Sequence, residues 1–356
     1  MLNRNSHVPL YIQLADLIRK QIEQGIIKPG DKLPSESEMI KSYQLGRLTV
    51  RESLSILANE GLIDKKHGKG TFCKSAEVSK KRLKVDVLLN MTDAYFMPYY
   101  LHSICEVFDA TDVAVTVNDT KDSTENIVAI LSKIPENGSD GVLIQPSLKV
   151  GSDSEELQEA CSKLVKNGIP YIMIDNSYDN VPQSYVIVDE KRAGAIAADY
   201  LKSHGHSSVC MICRNELKDS RLRLAGFEAN FGGSVYVIDY DDEFEKNIQK
   251  LLAEHPDITG CFCYNDLVAR NLYRVFKKTG INIPDRISVI SVDDTIIAST
   301  VSPSLTSIAH PKDLLGKEAA LSLLNIISGD TAWPYTKVFE PLLIERKSCK
   351  NLKKDV

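Results

Sequence analysis

Residues 33–72, LPSESEMIKSYQLGRLTVRESLSILANEGLIDKKHGKGTF, change their hydrophobic spacing twice. Ser35 is followed three positions later by Glu38, which is the spacing of a capping box and predicts a short helix beginning there. After a polar turn, apolar residues recur at helical spacing up to Gly61, which predicts a second helix. The remaining residues form two short strand-like runs around a Gly-Lys-Gly turn at 68–70, and this pattern indicates a hairpin.

One more helix precedes this stretch. In PLYIQLADLIRKQIEQG (9–25) apolar residues recur every three or four positions, and Gly25, Pro29 and Gly30 then end the pattern. The apolar stripe consists of Leu10, Leu14, Leu17, Ile18 and Ile22. Helices followed by a hairpin predict a winged helix-turn-helix domain, which we place at residues 1–74.

The charges of the chain divide near the end of this domain. The net charge is −5, but residues 1–84 carry 16 Lys and Arg against 9 Asp and Glu, whereas residues 85–356 carry 27 against 39. A basic segment on an otherwise acidic chain is suited to a polyanion. We therefore expect a nucleic-acid partner to meet the N-terminal domain.

The basic side chains of this domain fall where duplex DNA would need them. Arg47 and Arg51 are four positions apart and share a face of the third predicted helix, with Thr49 near the same N-terminal turn. That end of a recognition helix reaches base edges in the major groove, where Arg pairs with guanine. The hairpin tip, expected along the backbone or minor groove, holds Lys65, Lys66, His67 and Lys69. Either group alone is also typical of a solvated surface.

Over residues 9–72 the chain resembles the GntR-type winged-helix domains. The resemblance rests on the Pro-Leu-Tyr start, the Gly-x-x-x-Pro-Gly-x-x-Leu-Pro-Ser-Glu connector, the Arg-x-Thr-Val-Arg helix and the Gly-Lys-Gly-Thr-Phe end. It implies contacts to double-stranded operator DNA from Ser35, Arg47, Thr49, Arg51, Gly68, Lys69 and Gly70. The family often has Arg at the position of Ser37 and Ser or Thr at that of Gly46, so the operator sequence need not follow that of other members.

A different architecture begins after a linker. Residues 75–84 are highly charged and lack periodicity, which is typical of a linker. From residue 85 onward, short apolar runs alternate with amphipathic helical segments, which predicts an α/β architecture with parallel sheets. Examples of the runs are VDVLL (85–89), DGVLIQ (140–145), IPYIMI (169–174), SSVCMI (207–212), GCFCY (260–264) and RISVISV (286–292). Because about 270 residues exceed the usual size of one such core, we expect two lobes over residues 85–356.

The sequence disfavours several other protein classes. The N-terminus has no apolar segment of the kind that directs secretion, and the longest uncharged stretch, 295–311, is interrupted by Pro, Ser and Thr. We therefore expect a cytoplasmic protein without membrane contact, and not a transport binding protein. A hydrolase with two carboxylates flanking a glycosidic bond is an alternative, but no nucleophile lies at motif spacing from a base. We expect no catalytic residue, metal or cofactor.

The eight Cys are scattered without a disulfide framework, which suits a reducing compartment. Cys210 and Cys213 form a C-x-x-C within an apolar strand-like run, where their odd offset directs the thiols to opposite faces. We therefore expect buried core thiols rather than a metal or redox pair.

Polar side chains that follow the apolar runs predict a ligand cleft. In open α/β sheets, ligands bind outside the carboxyl ends of the strands. Carboxylates, an amide and an Arg can exchange hydrogen bonds with the hydroxyls of a sugar. The candidates are Asp189, Arg223, Asn265 and Asp293. A strand-end Asp or Asn can instead cap the next helix, and this is the role that we expect for Asp266 and Asp294.

The C-terminal region resembles the effector domain of LacI-type regulators, which shares the two-lobed fold of periplasmic sugar-binding proteins. The resemblance is carried by VIVDEKRAGAIAADYLKSHGH (186–206), RLRLAGF (221–227), CFCYNDLVARN (261–271) and SPSLTSIAHPKDLLGKEAA (302–320). It implies ligand contacts from Asp189, Arg223, Asn265 and Asp293. Ser291 and Val292 stand where that family usually has Gly and an aromatic residue.

The combination of both domains resembles the arabinose-utilisation repressors of Gram-positive bacteria. That resemblance implies a homodimer on an inverted repeat, released when a sugar, with L-arabinose favoured, binds the cleft. Another pentose, a hexose or a purine remains an alternative effector. Tyr95 and Phe96 are candidates to cover the apolar face of a pentose, and Lys149 is a candidate to reach the same cleft; lobe core and an exposed Lys are the competing interpretations.

Overall fold

A computed structural model describes residues 9–66, 69–74, 82–90, 97–152, 154–178, 181 and 183–355 of the chain. The chain divides into two compact units, Met1–Arg82 and Leu83–Val356. Four residues singled out by the sequence, His67, Gly68, Tyr95 and Phe96, lie outside the described residues. So does most of the linker, which stays a prediction.

The first unit has the predicted winged helix-turn-helix order. Its elements are α1 (Leu10–Glu23), α2 (Glu36–Tyr43), α3 (Arg47–Asn59), β1 (Ile63–Lys66) and β2 (Gly70–Cys73), and the two strands pair antiparallel. The Ser35 and Glu38 capping box is present at the start of α2, and Gln44 ends that helix with a φ of 51°. A left-handed residue there turns the chain sharply into α3. A shared core then holds the helices together, with Leu14, Val50 and Leu57 fully buried.

The second unit contains two lobes, each built on a sheet. In lobe 1 the strand order is β13-β7-β6-β5-β3-β4 and all pairs are parallel. The strands of lobe 1 are β3 (Lys84–Leu89), β4 (Ala114–Asp119), β5 (Gly141–Ile144), β6 (Tyr171–Asp175), β7 (Ser184–Val188) and β13 (Thr336–Phe339). Its helices are α4 (Met97–Ala110), α5 (Thr124–Leu131), α6 (Ile134–Asn137), α7 (Glu155–Lys166) and α13 (Lys312–Ser328).

Lobe 2 has a sheet in the order β14-β12-β11-β10-β8-β9, parallel except for β14. Its strands are β8 (Ser208–Cys213), β9 (Ser234–Asp239), β10 (Gly260–Cys263), β11 (Ser288–Asp293), β12 (Thr306–Ala309) and β14 (Leu342–Ile344). Its helices are α8 (Glu190–Ser203), α9 (Lys218–Phe231), α10 (Phe244–Glu254), α11 (Asp266–Thr279) and α12 (Ile296–Thr300). The predicted two-lobed α/β architecture with parallel sheets is confirmed.

The described chain crosses between the lobes after β7, after β12 and again between β13 and β14. Because the crossings follow the carboxyl ends of strands, those ends of both sheets border one cleft. Buried Cys210 and Cys213 belong to the cores on opposite faces of the lobe 2 sheet, so the prediction of core thiols is confirmed.

In lobe 2, helices α8 and α9 cross at close distance next to the cleft. A Cβ on Gly194 of α8 would lie 1.9 Å from the carbonyl oxygen of Arg223, and one on Gly226 of α9 would lie 1.9 Å from that of Lys191. Only glycine permits this approach. The contact brings Arg223 of α9 beside Glu190 at the start of α8.

Candidate functional site

A cleft of about 320 Å³ lies between the two lobes at the carboxyl ends of their strands. Lobe 1 contributes side chains that follow or end β3, β5 and β6, and lobe 2 contributes those after β10 and β12. These strand-end residues are Asn90, Gln145, Asp175, Asn265 and His310. The cleft therefore offers amide, carboxylate and imidazole groups from both sides.

Arg223 is the central cation of the cleft. Its guanidinium donates to Glu190 through Nε (2.6 Å) and Nη2 (3.0 Å), and Nη1 donates to the carbonyl oxygen of Tyr264 (2.7 Å). The side chain is 3% exposed and also lines the cleft. Burial would lower the pKa of Arg223, but the charges of Glu190, Asp219 and Asp293 outweigh it and raise that pKa well above its ordinary value. The sequence prediction thus falls on a fixed, permanently charged donor.

Asp219 and Tyr264 extend this buried network. The hydroxyl of Tyr264 donates to Asp219 at 2.6 Å, and the guanidinium carbon of Arg223 lies 5.0 Å from the centre of the Tyr264 ring. Burial raises the pKa of Asp219, although the nearby Arg223 opposes the shift. Burial likewise raises the pKa of Tyr264. The tyrosine therefore remains a neutral donor that holds the Asp219 carboxylate in place.

Asp293, a predicted ligand residue, is fully buried next to Arg223 and is not part of the cleft lining. Its Oδ1 lies 3.9 Å from Arg223 Nη2, and neither carboxylate oxygen has a hydrogen-bond partner among the described residues. Burial raises the pKa of Asp293 well above its ordinary value, with Arg223 opposing. A ligand that reached it through the cleft would have to meet Arg223 at the same time.

Asp189 and Asn265, two other predicted ligand residues, are helix N-caps. Asp189 accepts from the backbone of Arg192 (2.8 Å) and Asn265 from that of Val268 (2.9 Å). Asn265 also lines the cleft, whereas Asp189 does not and its neighbour Glu190 does. The predicted contact of Asp189 with ligand stays a prediction that this arrangement does not support.

The capping role that we expected for Asp266 and Asp294 is wrong. Asp266 is fully buried and accepts from the hydroxyls of Ser291 (2.5 Å), Ser307 (2.7 Å) and Thr295 (2.9 Å). Asp294 forms an ion pair with Arg346 at 2.7 Å. Serine hydroxyls of β11 and β12 engage Asp266, and Arg346 after β14 engages Asp294, so tertiary contacts rather than the next helix along the chain hold these carboxylates.

His310 and Asp175 join the two lobes inside the cleft. His310 Nε2 lies 3.2 Å from Asp175 Oδ1 and 3.6 Å from Glu190 Oε1. Burial would raise the pKa of Asp175, but hydrogen bonds with His310, Tyr100 and Gln145 outweigh it and lower that pKa. The sequence analysis missed these residues. Asp175 and Gln145 each end or follow an apolar run, so the strand-end rule was the signal that could have found them.

The rim of the cleft carries ion pairs and a contact between backbones of the two lobes. Lys149, a predicted cleft residue, lines it and lies 3.6 Å from Asp122 Oδ2, with its side chain 60% exposed. Arg214 pairs with Glu216 at 2.6 Å. The amide of Lys218 donates to the carbonyl oxygen of Leu148 (2.8 Å), and that of Val150 donates to the carbonyl oxygen of Glu216 (2.9 Å).

In the first unit the predicted recognition helix presents its basic residues to solvent. The side chains of Arg47 and Arg51 are 71% and 54% exposed, and Thr49 is half-buried. Glu36 accepts from Arg51 Nε at 2.9 Å and lies 3.9 Å from Arg47 Nε. One carboxylate on α2 therefore orients both arginines at the start of α3. Because the side chains are exposed, these ion pairs are weak and the arginines can leave Glu36 for another partner.

The other predicted DNA contacts have local structural roles as well. The hydroxyl of Ser35 accepts from the backbone of Glu38. Gly70 has a φ of 112°, a backbone conformation that L side chains rarely adopt, so the turn favours glycine. Lys69 is exposed at the turn. Over the part of the chain that the structure describes, no helix is both long and apolar enough to cross a bilayer.

Comparisons with known proteins agree with the division of the chain into an N-terminal DNA-binding unit and a two-lobed C-terminal unit. Residues 10–73 match the family described as bacterial regulatory proteins, gntR family, and residues 198–349 match the periplasmic binding protein-like domain. An arabinose metabolism transcriptional repressor of Halalkalibacterium halodurans is 26% identical over 95% of this chain and 96% of its own length. The HTH-type transcriptional repressor PurR of Photobacterium profundum is 30% identical over 62% of this chain and 68% of its own.

Among solved structures, the lac repressor dimer bound to operator and an anti-inducer has a TM-score of 0.65. It is 20% identical and covers 76% of this chain and 95% of its own. At that identity the likeness shows the fold alone.

Proposed function

The chain belongs to the bacterial transcriptional repressors that join a GntR-type DNA-binding domain to a LacI-type, periplasmic-binding-protein-like domain, and from this premise we propose that its effector is a small uncharged sugar, with L-arabinose favoured. Sugar binding in the cleft releases the chain from its operator. The observation that carries the choice of an uncharged effector is the ion pairing of the cleft.

Each Arg or Lys that lines the described cleft has a carboxylate partner. Arg223 is bonded to Glu190, Arg214 to Glu216, and Lys149 lies beside Asp122. Further carboxylates face the same space from Asp175 and Asp219. A phosphate or carboxylate ligand would meet this excess of negative charge, whereas sugar hydroxyls can donate to the carboxylates and accept from the guanidinium.

The proposed sugar contacts are Arg223, Asn265 and Asp293 from lobe 2, with Asp175 and His310 at the junction of the lobes. Tyr95, Phe96, Lys149 and Asp189 remain candidates from the sequence. L-arabinose is favoured because the similar protein of Halalkalibacterium halodurans is named for arabinose metabolism and matches along 95% of this chain. Another pentose, a hexose or a purine is the alternative effector.

On DNA we propose a homodimer that places two heads on the half-sites of an inverted repeat. The support is the structural likeness to a repressor solved as an operator-bound dimer. Half-sites read by two recognition helices are then spaced by one turn of DNA, about 34–36 Å, or a multiple. Arg47, Thr49 and Arg51 face bases, and Ser35, Gly68, Lys69 and Gly70 face the backbone.

Thermal unfolding of the full chain tests the effector. L-arabinose, D-xylose, D-ribose, D-glucose, ribose 5-phosphate and hypoxanthine are each added at equal concentration. A ligand that binds only the folded state raises the unfolding temperature, and we expect the largest rise with L-arabinose and none with the phosphate. Stabilisation by hypoxanthine or by the phosphate and not by any sugar would contradict the proposal.

A further inference from the structure

Lys312 is a buried cation at the junction of the two lobes. It is the first residue of α13, the helix that returns the chain to lobe 1, and it is 6% exposed. Its ammonium donates to the carbonyl oxygen of Asp293 and to that of His310 (3.2 Å). The same ammonium lies 5.6 Å from the centre of the Tyr99 ring on α4. One side chain therefore contacts the ends of β11 and β12 and a helix of lobe 1.

The backbone that Lys312 contacts is unusual. Asp293 has a φ of 113°, in the region that L-residues rarely adopt. A residue keeps such a conformation only where the surrounding structure holds it, and these positions cluster at ligand sites. The carboxylate of Asp293 is buried 3.9 Å from the guanidinium of Arg223. Relaxation of this peptide would rotate the carboxylate away from Arg223.

We propose that Lys312 is a positioning residue for the effector site: by holding the carbonyl groups of Asp293 and His310, it keeps the Asp293 side chain beside Arg223 and the His310 side chain beside Asp175 and Glu190. This inference rests on the proposed function, because it assumes that the cleft takes the effector. Lys312 itself does not line the cleft. It acts on the ligand only through the two strand ends that it ties together.

The placement of Lys312 also connects the site to the lobes. An effector that binds the side chains of Asp293 and His310 displaces the backbone of these two residues. Their carbonyl groups accept hydrogen bonds from Lys312, the first residue of a lobe 1 helix. A shift of lobe 1 relative to lobe 2 moves the ammonium and hence the same two carbonyl groups. Lys312 is thus a point where the arrangement of the lobes and the affinity of the cleft depend on each other.

The first test measures L-arabinose binding to the full chain by calorimetric titration. We expect Lys312→Met to weaken binding by about tenfold or more, because the charged hydrogen bonds that hold the two strand ends are lost. Lys317→Met is the matched control, because it makes the same change at an exposed position of the same helix. Unchanged sugar affinity in Lys312→Met, or equal losses in both variants, would overturn the inference.

The second test separates a positioning role from a general loss of packing. Glycine adopts a positive φ without strain, so Asp293→Gly removes the strain that Lys312 is proposed to hold. Lys312→Met should then destabilise the fold less. We expect Lys312→Met to raise the equilibrium constant for unfolding about fivefold more in the wild type than in the Asp293→Gly background, since residues in contact are not additive. Should Lys312→Met alone fail to fold, the double variant is still expected to fold. Additive effects, or a double variant that does not fold, would overturn the inference.

The two tests also separate this inference from the proposed function. A wild-type chain that binds none of the sugars would remove the proposed effector class. The unfolding cycle needs no ligand, so it would still decide whether Lys312 holds the backbone of Asp293.

Discussion

Asp293 has a fully buried carboxylate whose oxygens accept no hydrogen bond from the described residues. Burial raises its pKa well above the ordinary value of 3.8, even though Arg223 opposes the shift. The folded chain therefore binds this proton more tightly than the unfolded chain does. Its contribution to stability is present below pH 3.8 and is lost as the pH rises through the folded pKa. A bound ligand can supply the hydrogen bonds that this carboxylate lacks in the described structure, which favours a role for Asp293 in binding.

Asp293→Asn is accordingly predicted to stabilise the sugar-free chain and to impair sugar binding. The amide keeps the shape without the buried charge, so we expect the free energy of unfolding at neutral pH to rise by about 1 kcal/mol. The decline of stability with pH should become shallower. L-arabinose affinity should fall by about tenfold or more, since the amide replaces one oxygen that can accept from a sugar hydroxyl with a donor group. Denaturant unfolding across pH and calorimetric titration measure these quantities.

The control for this prediction is the neighbouring residue. Asp294 is ion-paired with Arg346, so Asp294→Asn removes a partnered charge and should not stabilise the chain. A destabilised Asp293→Asn chain, or one that binds sugar with wild-type affinity, would contradict the roles assigned here.

Arg51 and Lys69 are predicted to bind DNA in different ways. Arg51→Ala should cost about 1–3 kcal/mol on the operator and little on random DNA, because a base contact carries the specificity. Lys69→Ala should weaken binding to both sequences and flatten the dependence on salt, because a phosphate contact releases counterions. Fluorescence anisotropy with operator and scrambled duplexes over a salt series measures both. Equal losses on the two duplexes for Arg51→Ala would show that it anchors rather than reads.

Single residues also show how far the sequence leads. The strand-end rule placed Asn265 at the cleft, and the same rule applied to Asp175 and Gln145 would have placed them too. It did not predict Glu190, which reaches Arg223 because the glycine contact of α8 and α9 brings them together. Such a pair, separated by 33 positions, depends on tertiary packing that no local spacing encodes.

At the scale of elements, the continuous apolar runs of the buried strands predicted the α/β architecture. The edge strands β4, β9 and β13 were not among the runs quoted, because many of their residues are exposed or half-buried and break the apolar pattern. The sequence pattern likewise did not predict that α13 returns to lobe 1. In the sequence it follows β12 as any helix follows a strand, and only its contacts with α4 and β6 identify its lobe.

The backbone contact at the cleft mouth offers a test of closure. The amide of Lys218 donates to Leu148 across the lobes, and Lys218 is also the first residue of α9. Proline is well tolerated at that helix position, and the preceding Leu217 has the extended conformation that proline requires. Lys218→Pro thus removes an inter-lobe bond with little harm to the helix. We expect sugar affinity to fall about five- to tenfold, as for loss of one hydrogen bond.

Lys218→Ala is the matched control for the proline variant. It keeps the amide and removes only the ammonium, which donates to the carbonyl oxygen of Ser177 at 3.0 Å. We expect a loss of sugar affinity of about twofold, because that bond is only partly buried. Calorimetric titration of both variants against the wild type measures the difference. Equal losses would assign the effect to the side chain and not to the contact between backbones.

At the scale of the molecule, the proposed release by sugar requires that the cleft and the DNA-binding head influence each other. In the proposed function, sugar shifts the chain toward a lobe arrangement that binds the operator less well, and it can do so only by binding that arrangement more tightly. Thermodynamic linkage makes the effect reciprocal, so the operator must weaken sugar binding by the factor by which sugar weakens operator binding. Both effects can be measured on the complex of the proposed homodimer with its operator.

Calorimetric titration of L-arabinose into the full chain, with and without saturating operator duplex, measures this factor. We expect a loss of sugar affinity of about 5- to 150-fold on the operator, the usual range of allosteric coupling. The Arg51→Ala chain is the control: it keeps the whole cleft, so the operator should hardly change its sugar affinity at the same DNA concentration. The wild-type and Arg51→Ala chains have the same cleft, so they differ only in operator binding. Equal sugar affinity of the wild-type chain with and without operator would exclude release by linkage.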